Sequence, residues 1–192
     1  NINVCPRSDA QYALGEGVCV LQHAWDHGIK PGFSVDNETS YSTDMFMEMR
    51  MALYIQRAVA HNRKFSGDKN PPKPLMVRDV LHCATMAGAH CAGLDDKIGS
   101  LTPGKEADLL MIRTDDVNLY PSNNAIGTVV QAAERSNIDT VIIGGRVRKY
   151  RRQVVGLDMV SLKAMVDESL NHLFAAMNYR PDIFAELLPK LS

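Results

Sequence analysis

The sequence has almost no excess charge of either sign: 21 lysines and arginines face 22 aspartates and glutamates in 192 residues, a net charge of −1. That balance gives no general attraction to nucleic acid or to an anionic membrane surface. Long apolar runs are missing as well. None approaches the roughly 18 residues that would suggest a membrane span, and no basic-then-apolar start resembles a signal peptide. Cysteine is scarce. Cys5, Cys19, Cys83 and Cys91 are too few and too scattered for a disulfide framework, so reduced thiols in a cytoplasmic protein are expected. No internal repeat, low-complexity tract or His-x-His occurs anywhere. What the chain does have is 45% hydrophobic residues, enough to bury a core and to exclude a disordered chain.

The first residue is Asn1 rather than Met, and Ile2-Asn3-Val4 already reads as a strand in progress, so a chain cut from something longer is expected. A polar loop follows Pro6. Val18, Leu21, Ala24 and Trp25 then recur at helical spacing, with Gly28 placed where a helix ends. Residues 32–35 read as a short strand and 36–43 as a polar loop. Ser42 or Thr43 is expected to cap a long helix whose apolar face includes Phe46, Met49, Leu53 and Ala60. This strand–helix–strand–helix order is the rhythm of a parallel α/β unit. The run Ser66 to Pro74 breaks the chain, and residues 78–91 read as another helix ending near Gly93. The rhythm then changes to short strands at 98–101, 108–112, 140–143 and 146–150, separated by Pro-Gly, Pro-Ser and Gly-Gly turns. The last 30 or so residues return to helix, with Leu162, Met165, Val166, Leu170 and Leu173 on one face.

Four features could carry chemistry. Asp36 directly follows an apolar strand and opens a polar loop; in α/β barrels that end of a strand presents catalytic side chains. An acidic residue there can bind a metal or act as a general base, or it can simply form a turn. His23 and His27 share a helix face, but Ala24 stands where the H-E-x-x-H pattern needs Glu, so a surface pair beside the helix end is expected. His82-Cys83 and His90-Cys91 look like a metal box. Eight helical residues span about 12 Å, however, so the two pairs cannot meet at one ion, and the cysteines read as core filling. Finally, Arg146, Arg148, Lys149, Arg151 and Arg152 interleave with Val147 and Tyr150, which fits the solvated face of a β-ribbon.

Several segments go beyond such patterning. One runs from Cys5-Pro6-Arg7-Ser8 through Ser34-Val35-Asp36-Asn37-Glu38-Thr39 to Asp44-Met45-Phe46-Met47-Glu48-Met49-Arg50. Another is Ala84-Thr85-Met86-Ala87-Gly88-Ala89, followed by Gly93-Leu94-Asp95-Asp96-Lys97-Ile98-Gly99-Ser100-Leu101-Thr102-Pro103-Gly104-Lys105-Glu106-Ala107-Asp108-Leu109. With Asn137 to Val147 as a closing hairpin, these resemble the C-terminal part of the amidohydrolase superfamily, in its cytosine-deaminase-like and chlorohydrolase branch. The resemblance covers nearly the whole chain. It is specific for the superfamily and much less so for a substrate.

The resemblance implies a fragment of a distorted (β/α)8 barrel: the last two βα units over residues 1–92, part of a small composite β-sandwich over 93–155, and a C-terminal helical segment over 156–192. It implies hydrolysis of a non-peptide C–N bond, deaminase-like, by water that a bound zinc or iron activates. Asp36 falls on the Asp at the end of the eighth strand, a metal ligand and general base. Glu38, Thr39 and Ser8 fall on the substrate side, facing a small molecule such as a nitrogen heterocycle. The Asp44 to Arg50 motif has a packing role by the same comparison. Two departures stand out: Val4-Cys5-Pro6-Arg7-Ser8-Asp9 where many members read His-Cys-Pro-x-Ser-Asn, and Asp36-Asn37-Glu38-Thr39 where well-understood deaminases read Asp-Gly. The family's remaining metal-binding histidines would lie before Asn1. One carboxylate cannot hold a catalytic zinc, which takes about three protein ligands, so the chain alone is expected to bind no metal and to be inactive. Open barrel edges would also need a homo-oligomer or the missing part to cover them. The competing expectation is a truncated or degenerate non-catalytic homologue serving as an interaction module.

Overall fold

The computed structural model describes residues 2–7, 18–36 and 44–179. The chain divides into two compact units, Asn1–Gln153 and Val154–Ser192.

The first unit opens with β1 (Asn3–Val4), helix α1 (Leu21–Asp26), β2 (Gly32–Phe33) and the long helix α2 (Met45–Phe65). The two strands are parallel, Asn3 opposite Gly32 and Val4 opposite Phe33. A parallel pair must be joined by a crossover and buried on its faces. Here Val4 and Phe33 are buried, and they join Phe46, Met49 and Leu53 of α2 in one core. The α2 face expected from its spacing is thus the buried one. Its cap differs: Asp44 accepts the Met47 amide at 2.8 Å, one residue beyond Thr43. Aspartate is among the strongest capping residues, and its carboxylate also suits the helix N-terminus. At the end of α1, His27 is the cap, its Nδ1 lies 2.8 Å from the His23 carbonyl, and Gly28 follows with positive φ.

The break at Ser66 to Pro74 is fastened back onto α2. Buried Gln56 donates to the Lys73 carbonyl at 3.0 Å and accepts the Leu75 amide at 2.8 Å, while Arg57 donates to the Leu75 carbonyl. A continuous helical run follows, α3 (Val77–His82), a π segment (Cys83–Ala87) and α4 (Gly88–Cys91), packed against β2.

Residues 98–101 are not a strand, contrary to the sequence reading. Gly99, at φ +90°, lies so close to the helix that an added Cβ would come within 2.7 Å of Ala89 Cβ. The Lys105 ammonium donates to the Asp95 and Ile98 carbonyls. The close approach of Gly99 and the Lys105 hydrogen bonds hold a loop here rather than a ladder, and Leu101 is exposed. β3 (Leu109–Ile112), helix α5 (Ala125–Gln131), β4 (Ile138–Ile143), β5 (Arg146–Tyr150) and β6 (Gln153–Val154) follow, the strands forming one sheet in the order β3-β4-β5-β6. Ile143 pairs with Arg146, so Gly144 and Gly145, both at positive φ, make the two-residue turn that matches strand twist. The basic run lies on β5 and its next turn, where Arg151 and Arg152 also take positive φ and Arg152 pairs with Asp116 at 3.0 Å.

The second unit contains α6 (Met159–Met177). Asp158 caps it, accepting the Val160 and Ser161 amides at 2.9 and 3.2 Å, and none of its residues is buried. The apolar stripe foreseen at Leu162, Met165, Val166, Leu170 and Leu173 is therefore exposed.

Candidate active site

The parallel pair brings two chain segments to one end of the strands. After β1, Pro6 and Arg7 begin a helical turn; after β2, the chain runs Ser34-Val35-Asp36. Asp36 is exposed there, at the C-terminal end of its strand, with φ +66°. A left-handed backbone is uncommon for any residue carrying a Cβ, and aspartate is among the more tolerant. The peptide entering Asp36 is held at both of its polar groups. Its N–H donates to Ser34 Oγ at 3.2 Å, and the Val35 carbonyl accepts from Arg7 Nη2 at 3.1 Å.

Arg7 is itself fixed from α2. Its Nε donates to Glu48 Oε1 at 2.9 Å and its backbone N–H to Oε2 at 3.1 Å. Glu48 is fully buried and Arg7 nearly so. Burial pushes the Glu48 carboxyl above its ordinary range, and the Arg7 hydrogen bonds and charge pull it back. The other polar members of the Asp44 to Arg50 motif also hold structure: Asp44 caps α2, and Arg50 donates to the Ala133 carbonyl at 2.8 Å. Arg7 and Glu48 were not singled out as site residues from sequence. The available signal was an acidic residue on the apolar face of a helix, since a charge buried there requires a partner. Glu38, Thr39 and Ser8 lie outside the described residues.

A cavity of about 570 Å³ lies at the opposite ends of the two strands, lined among others by Ile2, Lys30, His82, His90, Cys91 and Lys105. His90 Nδ1 is 2.9 Å from Asp95, and the Cys91 thiol donates to the Ile2 carbonyl. Cys83 points elsewhere, wholly buried in the core, and burial pushes its thiol up to about 12. At neutral pH it is neither nucleophile nor ready metal ligand. Among the described residues, no three His, Cys, Asp or Glu side chains converge as a metal centre would require. Asp36 fits one position of such a centre as an exposed oxygen donor; the described residues do not supply the set.

Residues 1–148 match the model of the amidohydrolase family. The chain belongs to the amidohydrolase family. Two 5-methylthioadenosine/S-adenosylhomocysteine deaminases of this kind are similar to it. That of Moorella thermoacetica is 30% identical over 168 residues, 87% of this chain and 37% of the relative. That of Pelotomaculum thermopropionicum is 33% identical over 161 residues, 83% and 34% of the respective lengths. The chain thus spans little more than a third of the curated relatives it matches. Its fold is that of part of a zinc-bound adenosine deaminase from Xanthomonas campestris, with a TM-score of 0.77 at 24% identity over 90% of this chain and 37% of the other. The amidohydrolase chain is accordingly mixed α/β, a piece of the family's barrel, as its sequence motifs implied. Among the described residues no helix is long and apolar enough to cross a membrane.

Proposed function

We propose that the complete protein is a metal-dependent amidohydrolase that removes the amino group of a nitrogen heterocycle, most simply the adenine of a nucleoside, by hydrolysis. The observation that carries this reading is Asp36, exposed at the end of β2 on a peptide held at both polar groups, in a family whose similar members are deaminases. In this reading residues 1–92 are the last two βα units of the barrel, 93–155 part of its small β domain, and 156–192 a terminal helical segment.

Asp36 contributes one donor to a zinc or iron ion and serves as general base. When bound, the metal supplies a Lewis-acidic centre that lowers the pKa of water toward neutrality. The Asp36 carboxylate takes the proton of the attacking water and returns it to the departing nitrogen, so water and the amine become the ring carbonyl and ammonia. Ser8, Glu38 and Thr39 face the substrate. The enzyme works in the cytoplasm. The isolated chain, whose described residues offer one carboxylate where about three ligands are needed, is inactive. It self-associates or is covered by the missing part of the protein, which the exposed Leu110, Met111 and Val147 of the small-domain sheet support. Those same residues favour the competing reading of a non-catalytic interaction module.

The test is ultraviolet absorbance of adenosine and 5′-methylthioadenosine with the full-length gene product and added zinc. Asp36→Asn should lower kcat about 10²–10⁴-fold while leaving the fold intact. Near-normal turnover in that variant removes Asp36 from the chemistry, and an inert wild-type protein selects the interaction module.

A further inference from the structure

Resting on that reading of Asp36, we infer that Arg7 and Glu48 act as a positioning clamp: the Glu48-anchored guanidinium grips the Val35 carbonyl and so fixes the direction in which the Asp36 carboxylate points. Three elements meet in this contact. Arg7 comes from the end of β1, Val35 from the end of β2, and Glu48 from the first turn of α2.

Stability alone does not account for the pair. Taking two charges out of water is costly, and a well-packed apolar pair of similar volume often serves a core as well or better. The geometry adds something an apolar pair lacks. A guanidinium is planar, and its donors leave at fixed angles. One edge is spent on Glu48, at 2.9 Å, which sets the plane; Nη2 then reaches the Val35 carbonyl at 3.1 Å. That carbonyl belongs to the peptide whose N–H is bound by Ser34 Oγ. With both polar groups held, the peptide plane cannot turn, and Asp36 is kept at φ +66°. Releasing the carbonyl frees the plane to rotate and lets Asp36 relax to the ordinary right-handed or extended backbone, swinging its carboxylate away. A non-glycine residue kept in a sparsely populated conformation by surrounding contacts is a pattern seen at functional sites. A lysine at position 7 keeps the charge but presents its donors from one freely rotating nitrogen, without the rigid plane that ties the Val35 carbonyl to Glu48.

The experiment uses the full-length protein with zinc, comparing wild type, Arg7→Met/Glu48→Leu, Arg7→Lys and Asp36→Asn. Removing both charges together avoids leaving a lone buried charge, so the double variant should keep a melting temperature near wild type. Its kcat should fall about 10–100-fold, the range for residues that orient a ligating group, with KM nearly unchanged. Amide exchange over residues 33–36 should accelerate. Wild-type kcat and unchanged exchange in a folded double variant would reduce the pair to packing and overturn the clamp. If the double variant fails to fold, Arg7→Lys decides by the same readouts, and wild-type turnover there overturns it. A silent Asp36→Asn would instead sink the functional reading, after which unchanged exchange at 33–36 would sink the clamp as well.

Discussion

The β1–β2 pair and the β3–β6 sheet solve the problem of strand pairing in opposite ways. β1 and β2 share two registered residue pairs, and what holds them is the cover: Val4 and Phe33 are 3% and 7% exposed, packed with side chains of α2. The four-stranded sheet has longer antiparallel ladders, that of β4 and β5 closed by a two-residue turn, yet Leu110, Met111, Val147 and Tyr150 are each about half exposed or more. The parallel strands depend on burial, whereas the β4–β5 hairpin leans on its turn. The difference teaches where each region can be damaged.

The largest effect should come from the core beside the parallel pair. Leu53→Ala, at a fully buried position of α2, should cost about 2–5 kcal/mol in urea unfolding. Val147→Ala, in the ladder of the exposed sheet, should stay within about 0.5 kcal/mol. Equal costs would break the contrast. A middle effect should appear at the turn. Gly145 has φ +73° and nothing within 4 Å of an added Cβ, so Gly145→Ala meets no clash and pays only for its backbone, about 1–2 kcal/mol. A neutral result would mean that the hairpin does not depend on its turn.

The smallest effect belongs to α6, where no residue is buried and the cap matters more than packing. Hydrogen bonds from the Ser161 hydroxyl and from the Ser161 and Val160 amides hold the Asp158 carboxyl below its usual 3.8. A lowered folded-state value stabilises the helix above the ordinary aspartate range. That support is lost as pH falls through 3.8 toward the folded value. Circular dichroism should therefore show helix loss on acidification, and Asp158→Ala should show a similar loss already at neutral pH. A helix signal indifferent to both would remove the cap from the account.

Much of this was legible along the chain. The apolar spacing of Phe46, Met49, Leu53 and Ala60 marked the buried face of α2, and Gly144-Gly145 marked a hairpin, because both signals are local and repeat with the period of the element they build. The strand expected at 98–101 failed because Ile98 and Leu101 flank a glycine that sits at positive φ against a helix, a tertiary contact the local pattern does not show. Helix α5 was passed over: seven residues carry too little periodicity to stand out. The site was half legible. Asp36 could be named from its place after a strand and from the surrounding motif, whereas Ser8, Glu38 and Thr39 lie outside the described residues.

What the sequence determined by itself was therefore local and compositional: the helices with a full apolar stripe, the glycine turn, the absence of a disulfide framework or a long apolar span, and the family motifs in their order. Only the tertiary structure decided that Arg7 and Glu48 meet, 41 positions apart, and that their contact continues to the carbonyl before Asp36. The reason is physical. A buried ion pair has no period and no neighbour rule, and its two halves become partners only when the crossover that makes β1 and β2 parallel brings α2 beneath both strand ends.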